Sequence, residues 1–292
     1  MSEPSARAVH ATRSSSATSI VLRKLRKNKM ALAGLAGILA LVLVAILAPV
    51  LAPHDIQEQN LSERLRPPSL AYPFGTDLLG RCLLSRVIYG TRIALLAGVA
   101  IVSIQVCLGV MVGLIAAFYG RVIDVILMRF VDIILSFPPI VLALGIAAAF
   151  RPGLFTGLVA LGLVGWTTYA RLMRSEVLAL REECYVEAAR AIGASNSRIM
   201  LRHILPNAIG PILITATMGM GTALLAAAGL AFLGIGSQPP SPDWGLMLAT
   251  GRPYLRKAPW LATIPGLAIM FTVLAFNFLG DGVRDALDPR QQ

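Results

Sequence analysis

Charge is what this chain has least of. Only 14% of its 292 residues are Asp, Glu, Lys or Arg, where a soluble domain carries about 25%. With a hydrophobic fraction of 56%, that shortage excludes an ordinary soluble globule and indicates an integral membrane protein. Histidine is scarcer still: His10, His54 and His203 are the only three, all in polar segments. An intramembrane hydrolase needs a nucleophile and a base at membrane depth, so that class falls away. The three cysteines, Cys82, Cys107 and Cys184, form neither a disulfide framework nor a metal-binding spacing. No G-x-x-x-x-G-K-[ST] phosphate loop occurs, which removes that route to ATP hydrolysis. Acidic residues are missing from nearly all the apolar runs and no repeat relates the two halves. Both absences argue against the alternative of a self-sufficient secondary transporter. The formal net charge of +11 is spread over short segments between apolar runs, the pattern of membrane loops and not of a nucleic-acid binder.

What is there is a series of long uncharged stretches. Residues 1–29 form a Ser-rich basic tail ending in Arg23, Lys24, Arg26, Lys27 and Lys29. Met30–Pro53 follows, too long for a signal-peptide core and long enough to span a bilayer. Five more stretches occur, at Ile93–Gly120, Ile133–Phe150, Pro152–Ala170, Asn207–Pro242 and Ala258–Gly280. At roughly 20 residues per span, this predicts an all-α integral membrane fold of six transmembrane helices. The third is expected to start nearer Val125 and to carry Arg129 and Asp132 at the interface. The expected organisation is a cytoplasmic tail (1–29), a first helix (30–53), an extracytoplasmic loop (54–91), a transmembrane core (92–285) and a cytoplasmic tail (286–292). Seventeen of the 26 Lys and Arg fall in the segments this topology puts inside and nine in those outside. The positive-inside rule therefore puts both termini in the cytoplasm.

Between the fourth and fifth spans lies a charged segment, 176–206, which contains EAARAIGASNSRIMLRHILP from Glu187 to Pro206. Glu176–Ile192 is helix-friendly, and Gly193 stands where a C-terminal cap is wanted. Ser195 or Asn196 can cap a second short helix carrying Arg198, Arg202 and His203. Pro206 is expected to stop that helix, and Asn207 to cap the next span. Small Ala188 and Ala189 would let another surface come close, with Glu187, Arg190, Arg198 and Arg202 supplying charge. A solvated hairpin with no partner fits the same residues.

Other features have two readings each. Arg129 and Asp132 are three apart and can pair on one helix face, at the interface or as a cytoplasmic gate. Pro138 and Pro139 must interrupt the third span, as a static kink or as a hinge lining a path. Gly98, Gly109 and Gly113 predict close helix packing. Trp244 suits a membrane interface. Asp281, Arg284, Asp285 and Asp288 are spaced to form a charged cap after the last span.

The EAA run, the glycine behind it and RHILPN resemble the EAA loop of ABC-importer permeases. YPFGTDLLGRCLLSRVIYGTR (72–92), GLAFLGIGSQPPSPDWGLML (229–248) and PGLAIMFTVLAFNFLGDGVRDALDPR (265–290) are similar to the C-type subunit of the dipeptide/oligopeptide/nickel permease family. The chain departs from the family pattern at Cys82, Ala227 and Ala231, where it lacks polar groups that the family usually carries.

The resemblance implies a non-enzymatic permease subunit of a bacterial inner-membrane importer for peptides or related solutes. It implies no cofactor on this chain, with ATP and Mg on two cytoplasmic ATPase subunits. A B-type permease and an extracytoplasmic substrate-binding protein would be the other partners, with the lipid bilayer around them and no nucleic acid. ATPase coupling would fall to Glu187, Ala188, Ala189, Gly193, Arg198, Arg202, His203 and Pro206. Asp132, Pro138 and Pro139 are the candidate gate or path residues.

Overall fold

The computed structural model describes residues 28–287. The basic tail before Asn28 and the residues after Leu287, Asp288 among them, lie outside it. The described residues are helical, with no named strand among them. The long elements are α1 (Lys29–Leu51), α2 (Leu83–Tyr119), α3 (Arg121–Leu135), α4 (Pro139–Ala148) and α5 (Leu154–Leu180). After them come α6 (Cys184–Ala191), α7 (Asn196–Arg198), a π-helical turn (Ile199–Ile204), α8 (Leu205–Phe232), α9 (Trp244–Gly251) and α10 (Trp260–Leu287).

Four helices are long and apolar enough to cross a membrane: α1, α2, the continuous run from α7 through α8, and α10. Counted as one span, the bent pair α3–α4 makes a fifth among the described residues. α5 has 27 residues, but Arg171, Arg174 and Glu176 crowd its second half. The six-span expectation needs α5 as well.

Glycine sets how closely the helices approach. A Cβ at Gly109 would lie 2.6 Å from the Trp166 carbonyl oxygen, and one at Gly113 would lie 2.8 Å from Met173 Cβ. The GxxxG face of α2 thus lies directly on the backbone of α5, as its spacing predicts. Gly34 does the same for α1 on α10, where a Cβ would sit 2.7 Å from the Ala275 oxygen. Ile101, Ala160, Val164, Ala223 and Leu230 close the core among α2, α5 and α8.

Several expectations need correction. α2 begins at Leu83, ahead of the uncharged stretch that starts at Ile93. Its extra turns carry Arg86, which buries its guanidinium by donating to the carbonyls of Ile56, Pro240 and Ser241 at 3.0–3.3 Å. Asp77 accepts from Arg81 Nε at 2.6 Å and lies 3.6 Å from Arg86 Nε. A charge satisfied in this way no longer marks the end of a helix. Trp244 does not present its ring to the surroundings. It is buried, and its indole donates to the Val87 carbonyl at 3.0 Å. Asp243 caps α9 in front of it, accepting from the amides of Gly245 and Leu246. The 52–82 loop, the start of α2, the 237–243 loop and α9 thereby form one knitted end of the bundle.

Candidate functional site

The opposite end is built by the segment after α5. That helix stops at Leu180 and does not continue to Ile192. Arg181 donates from Nη1 to the Ala117 carbonyl at 3.2 Å, which ties the helix end to α2. Glu183 occupies the cap position of α6, and Glu187 lies in its first turn. Acidic groups are favoured there by the helix dipole, so the second helix starts where the first one ends.

α6 closes in the manner of a Schellman motif. The Ala194 amide donates to the Ala189 oxygen at 3.0 Å and the Gly193 amide to the Arg190 oxygen at 2.9 Å. Gly193 takes a φ of +77°, the left-handed cap expected for it. Ser195 occupies the cap position of α7 but makes no side-chain capping bond.

Pro206 does not end the helix. The chain runs through it into α8, because Ile199–Ile204 widens into a π turn in which the Leu205 amide reaches back to Met200. A wider turn accommodates a residue that has no N–H and whose ring would crowd the preceding turn. Asn207 is therefore no cap. Its amide donates to the His203 carbonyl at 2.6 Å and to the Tyr185 hydroxyl at 3.4 Å.

The hairpin so formed has two faces. Val186, Ala189, Ile199 and Ile204 are buried against Leu114 and Ala117 of α2, Met173 and Val177 of α5, and Ala208 and Ile212 of α8. Each fully buried Val or Ile contributes about 1.5–3 kcal/mol, so the hairpin is fixed to three long helices at once. The other face presents Glu187, Ala188, Arg190, Gly193, Arg198 and Arg202 to the surroundings, with His203 half-buried and Pro206 exposed. Ile192 is 85% exposed at its tip. Ala189 is turned inward, so only Ala188 of the predicted alanine pair lies on the open face. None of the charged residues from Glu187 to His203 makes an ion pair among the described residues. An apolar tip within unpaired charges suits a protein partner.

Asp132, Pro138 and Pro139 lie elsewhere on the chain's path. The two prolines stand where α3 and α4 meet at a bend of 90°, so the expected interruption is a sharp corner. Asp132 does not pair with Arg129. Its carboxylate accepts from Arg171 Nη2 of α5 at 2.6 Å. About two turns earlier on α3, Asp124 takes both Nε and Nη2 of Arg174 at 2.6 Å. Two Asp–Arg pairs thus bind α3 to α5, a pairing that spacing along α3 alone does not reveal. Asp281, Arg284 and Asp285 make no ion pair among the described residues, and Asp288, the fourth member of the expected cap, lies outside them. Asp281 instead lines a cleft of about 590 Å³ among α2, α5, α8 and α10, together with Gln105, Thr168, Tyr169, Thr222 and Asn277. Sequence reasoning missed this cleft, since each helix supplies only one to four of its residues.

A family model described as "Binding-protein-dependent transport system inner membrane component" matches residues 109–292, more than half of the chain. The chain belongs to that family. A second model, "N-terminal TM domain of oligopeptide transport permease C", matches residues 16–68. The chain is 46% identical over 270 residues to the "Dipeptide transport system permease protein DppC" of Alkalihalophilus pseudofirmus, covering 92% of this chain and 89% of that one. It is 43% identical to the "Di/tripeptide transport system permease protein DppC" of Pseudomonas aeruginosa, covering 90% and 89%. To the "Glutathione transport system permease protein GsiD" of Escherichia coli it is 42% identical, covering 92% and 89%. Among solved structures, a chain of the inward-facing MetNI methionine ABC transporter matches with a TM-score of 0.56 and 21% identity, covering 70% of this chain and 98% of that one.

The permease is thus a transmembrane subunit of an ABC importer. It is not the catalytic subunit, since ATPase activity in such importers resides on separate chains. A permease of this family works within a partnered complex and is embedded in a membrane.

Proposed function

We infer that this permease forms half of a transmembrane path for peptides or related small solutes, nickel complexes among them, and that the exposed hairpin around Glu187–His203 receives the push of a cytoplasmic ATPase. The observation that carries this reading is the two-faced hairpin. Its outer face is charged, unpaired and tipped by Ile192, while its inner face is buried on α2, α5 and α8. A partner that moves the tip moves those three helices together, which is what coupling between distant sites requires.

In this reading Glu187, Ala188, Gly193, Arg198, Arg202 and His203 face or frame the ATPase groove. Ala189 anchors the hairpin from beneath, and Pro206 sets the π turn that joins it to α8. The six spans are α1, α2, the bent α3–α4 pair, α5, α8 and α10. Both termini and the hairpin are cytoplasmic, and the knitted end faces the extracytoplasmic space of a bacterial inner membrane. ATP and Mg belong to two ATPase subunits. A B-type permease supplies the other half of the path, and a substrate-binding protein delivers cargo to the knitted end. Asp132, Pro138 and Pro139 stand at the α3–α4 corner, where a gate would need a hinge.

The cargo class follows from the relatives, whose names specify dipeptides, di- and tripeptides and glutathione. The test is purification through a tag on this chain in mild detergent, followed by uptake assays in vesicles. Recovery of a second permease and ATPase subunits, with ATP-dependent peptide uptake that Gly193→Pro abolishes, is the expected result. A chain that purifies alone and moves solute without ATP contradicts it.

A further inference from the structure

The cleft of about 590 Å³ has a composition that helix packing alone does not require. Polar side chains at membrane depth are costly against lipid and therefore turn toward protein or a wet cavity. Here three glycines make the room. A Cβ at Gly165 would collide with the Gln105 amide, one at Gly219 with the Tyr169 hydroxyl, and one at Gly221 would lie 2.8 Å from Asn277 Oδ1. Gly165 is on α5, Gly219 and Gly221 are on α8, and the side chains they admit come from α2, α5 and α10. Two helices thus give up Cβ atoms where side chains from three helices enter.

The hydrogen-bonding capacity left open is specific. Gln105 donates to the Leu161 carbonyl at 3.1 Å, which leaves its amide oxygen as an acceptor. Thr222 donates to the Gly219 carbonyl at 2.9 Å and likewise keeps its lone pairs. Thr168, the Tyr169 hydroxyl and the Asn277 amide bond to none of the described residues and offer both donors and acceptors. No Lys or Arg lines the cleft, and its one ionisable carboxylate is Asp281. Neutral donors and acceptors match an amide backbone, and a lone carboxylate matches a protonated amine.

We propose that this cleft is the cargo-contact surface of the permease, in which Tyr169 and Asn277 bond the amide backbone of a short peptide and Asp281 receives its ammonium group. The assignment rests on the importer reading above and adds to it the residues that touch cargo. Asn277 and Asp281 are apart from the hairpin, and Tyr169, which belongs to the buried cluster beneath it, loses only its hydroxyl in a Phe variant, so damage to the cleft lowers the peptide carried for each ATP hydrolysed, while hydrolysis itself continues.

The test uses the complete importer complex in proteoliposomes, with its binding protein and a panel of radiolabelled dipeptides. Peptide uptake and ATP hydrolysis are measured together, using whichever peptide the wild type moves fastest. Asp281→Asn is expected to lower peptide moved per ATP about tenfold, the scale of a lost charge-assisted hydrogen bond. Tyr169→Phe is expected to lower it about threefold. Binding-protein-stimulated hydrolysis should stay within about twofold of wild type in both, and Asp281→Glu should retain most of the uptake. Unchanged peptide per ATP in Asp281→Asn and Tyr169→Phe overturns the proposal and leaves the importer reading intact. Loss of hydrolysis in parallel with uptake also overturns it, because the residues then serve structure or coupling. A wild-type complex that moves no peptide of the panel overturns the importer reading and this assignment with it.

Discussion

The two ends of the bundle are built on opposite principles. At the knitted end, charged groups are buried and paired, although His54 Nδ1 in the same loop is buried without a partner among the described residues. Arg86 is 3% exposed and donates to three carbonyls from two loops, Asp77 binds Arg81, and Asp243 caps the helix that Trp244 anchors. On the hairpin, the charges from Glu187 to Arg202 are exposed and unpaired among the described residues, and the burial beneath them is apolar. Satisfied buried polar groups fix a geometry, because displacing any member leaves another without a partner. An apolar seat allows a rigid element to transmit movement while its outer face remains free for a partner. One end is made to hold its shape, the other to be gripped.

Four substitutions sharpen that contrast. The largest expected loss of stability is at the knitted end. Arg86→Ala leaves the carbonyls of Ile56, Pro240 and Ser241 without their donor, while Asp77 keeps Arg81, and should cost about 3–5 kcal/mol, read as a lowered thermal midpoint of the detergent-solubilised protein. Gly193→Val forces a branched side chain into a φ of +77° and should cost about 1–2 kcal/mol. ATP-driven uptake should fall further than that loss alone explains. Asp132→Asn breaks an ion pair in which both side chains are about half exposed, so its stability cost should stay below about 1 kcal/mol. A larger loss would mean that α3 is held on α5 chiefly by that pair and not also by Asp124 with Arg174. Ile192→Asp should have the smallest stability effect, within about 0.5 kcal/mol, and yet abolish coupling, since the tip is 85% exposed in this chain. A marked drop in its melting temperature would contradict the two-faced description of the hairpin.

Local signals in the sequence read true where the physics is local. The GxxxG face of α2, the left-handed Gly193 and the interruption at Pro138–Pro139 depend on neighbours a few residues away, and each is found in the structure. Long-range partners were not legible. Asp132 reads as the partner of Arg129 because the spacing fits, but Arg171 approaches from a helix that packs there only after folding. Trp244 gives no sign in the sequence of its buried seat against the Val87 carbonyl and the bare Gly90. Pro206 reads as a stop because the π turn that absorbs it leaves no mark in composition. The polar cleft is the extreme case. Gln105, Tyr169, Asn277 and Asp281 lie on three different helices, and the glycines that make room for them look like ordinary packing positions.

The hairpin's role is tested most directly by contact. A photo-crosslinking residue placed at Ile192 in the assembled complex, with a second placed at Arg256 near the knitted end as reference, reports which partner each end meets. An ATPase subunit captured from position 192 and not from position 256 is the predicted result. Capture of the ATPase from position 256, or its absence at 192 in a complex that contains it, would contradict the account.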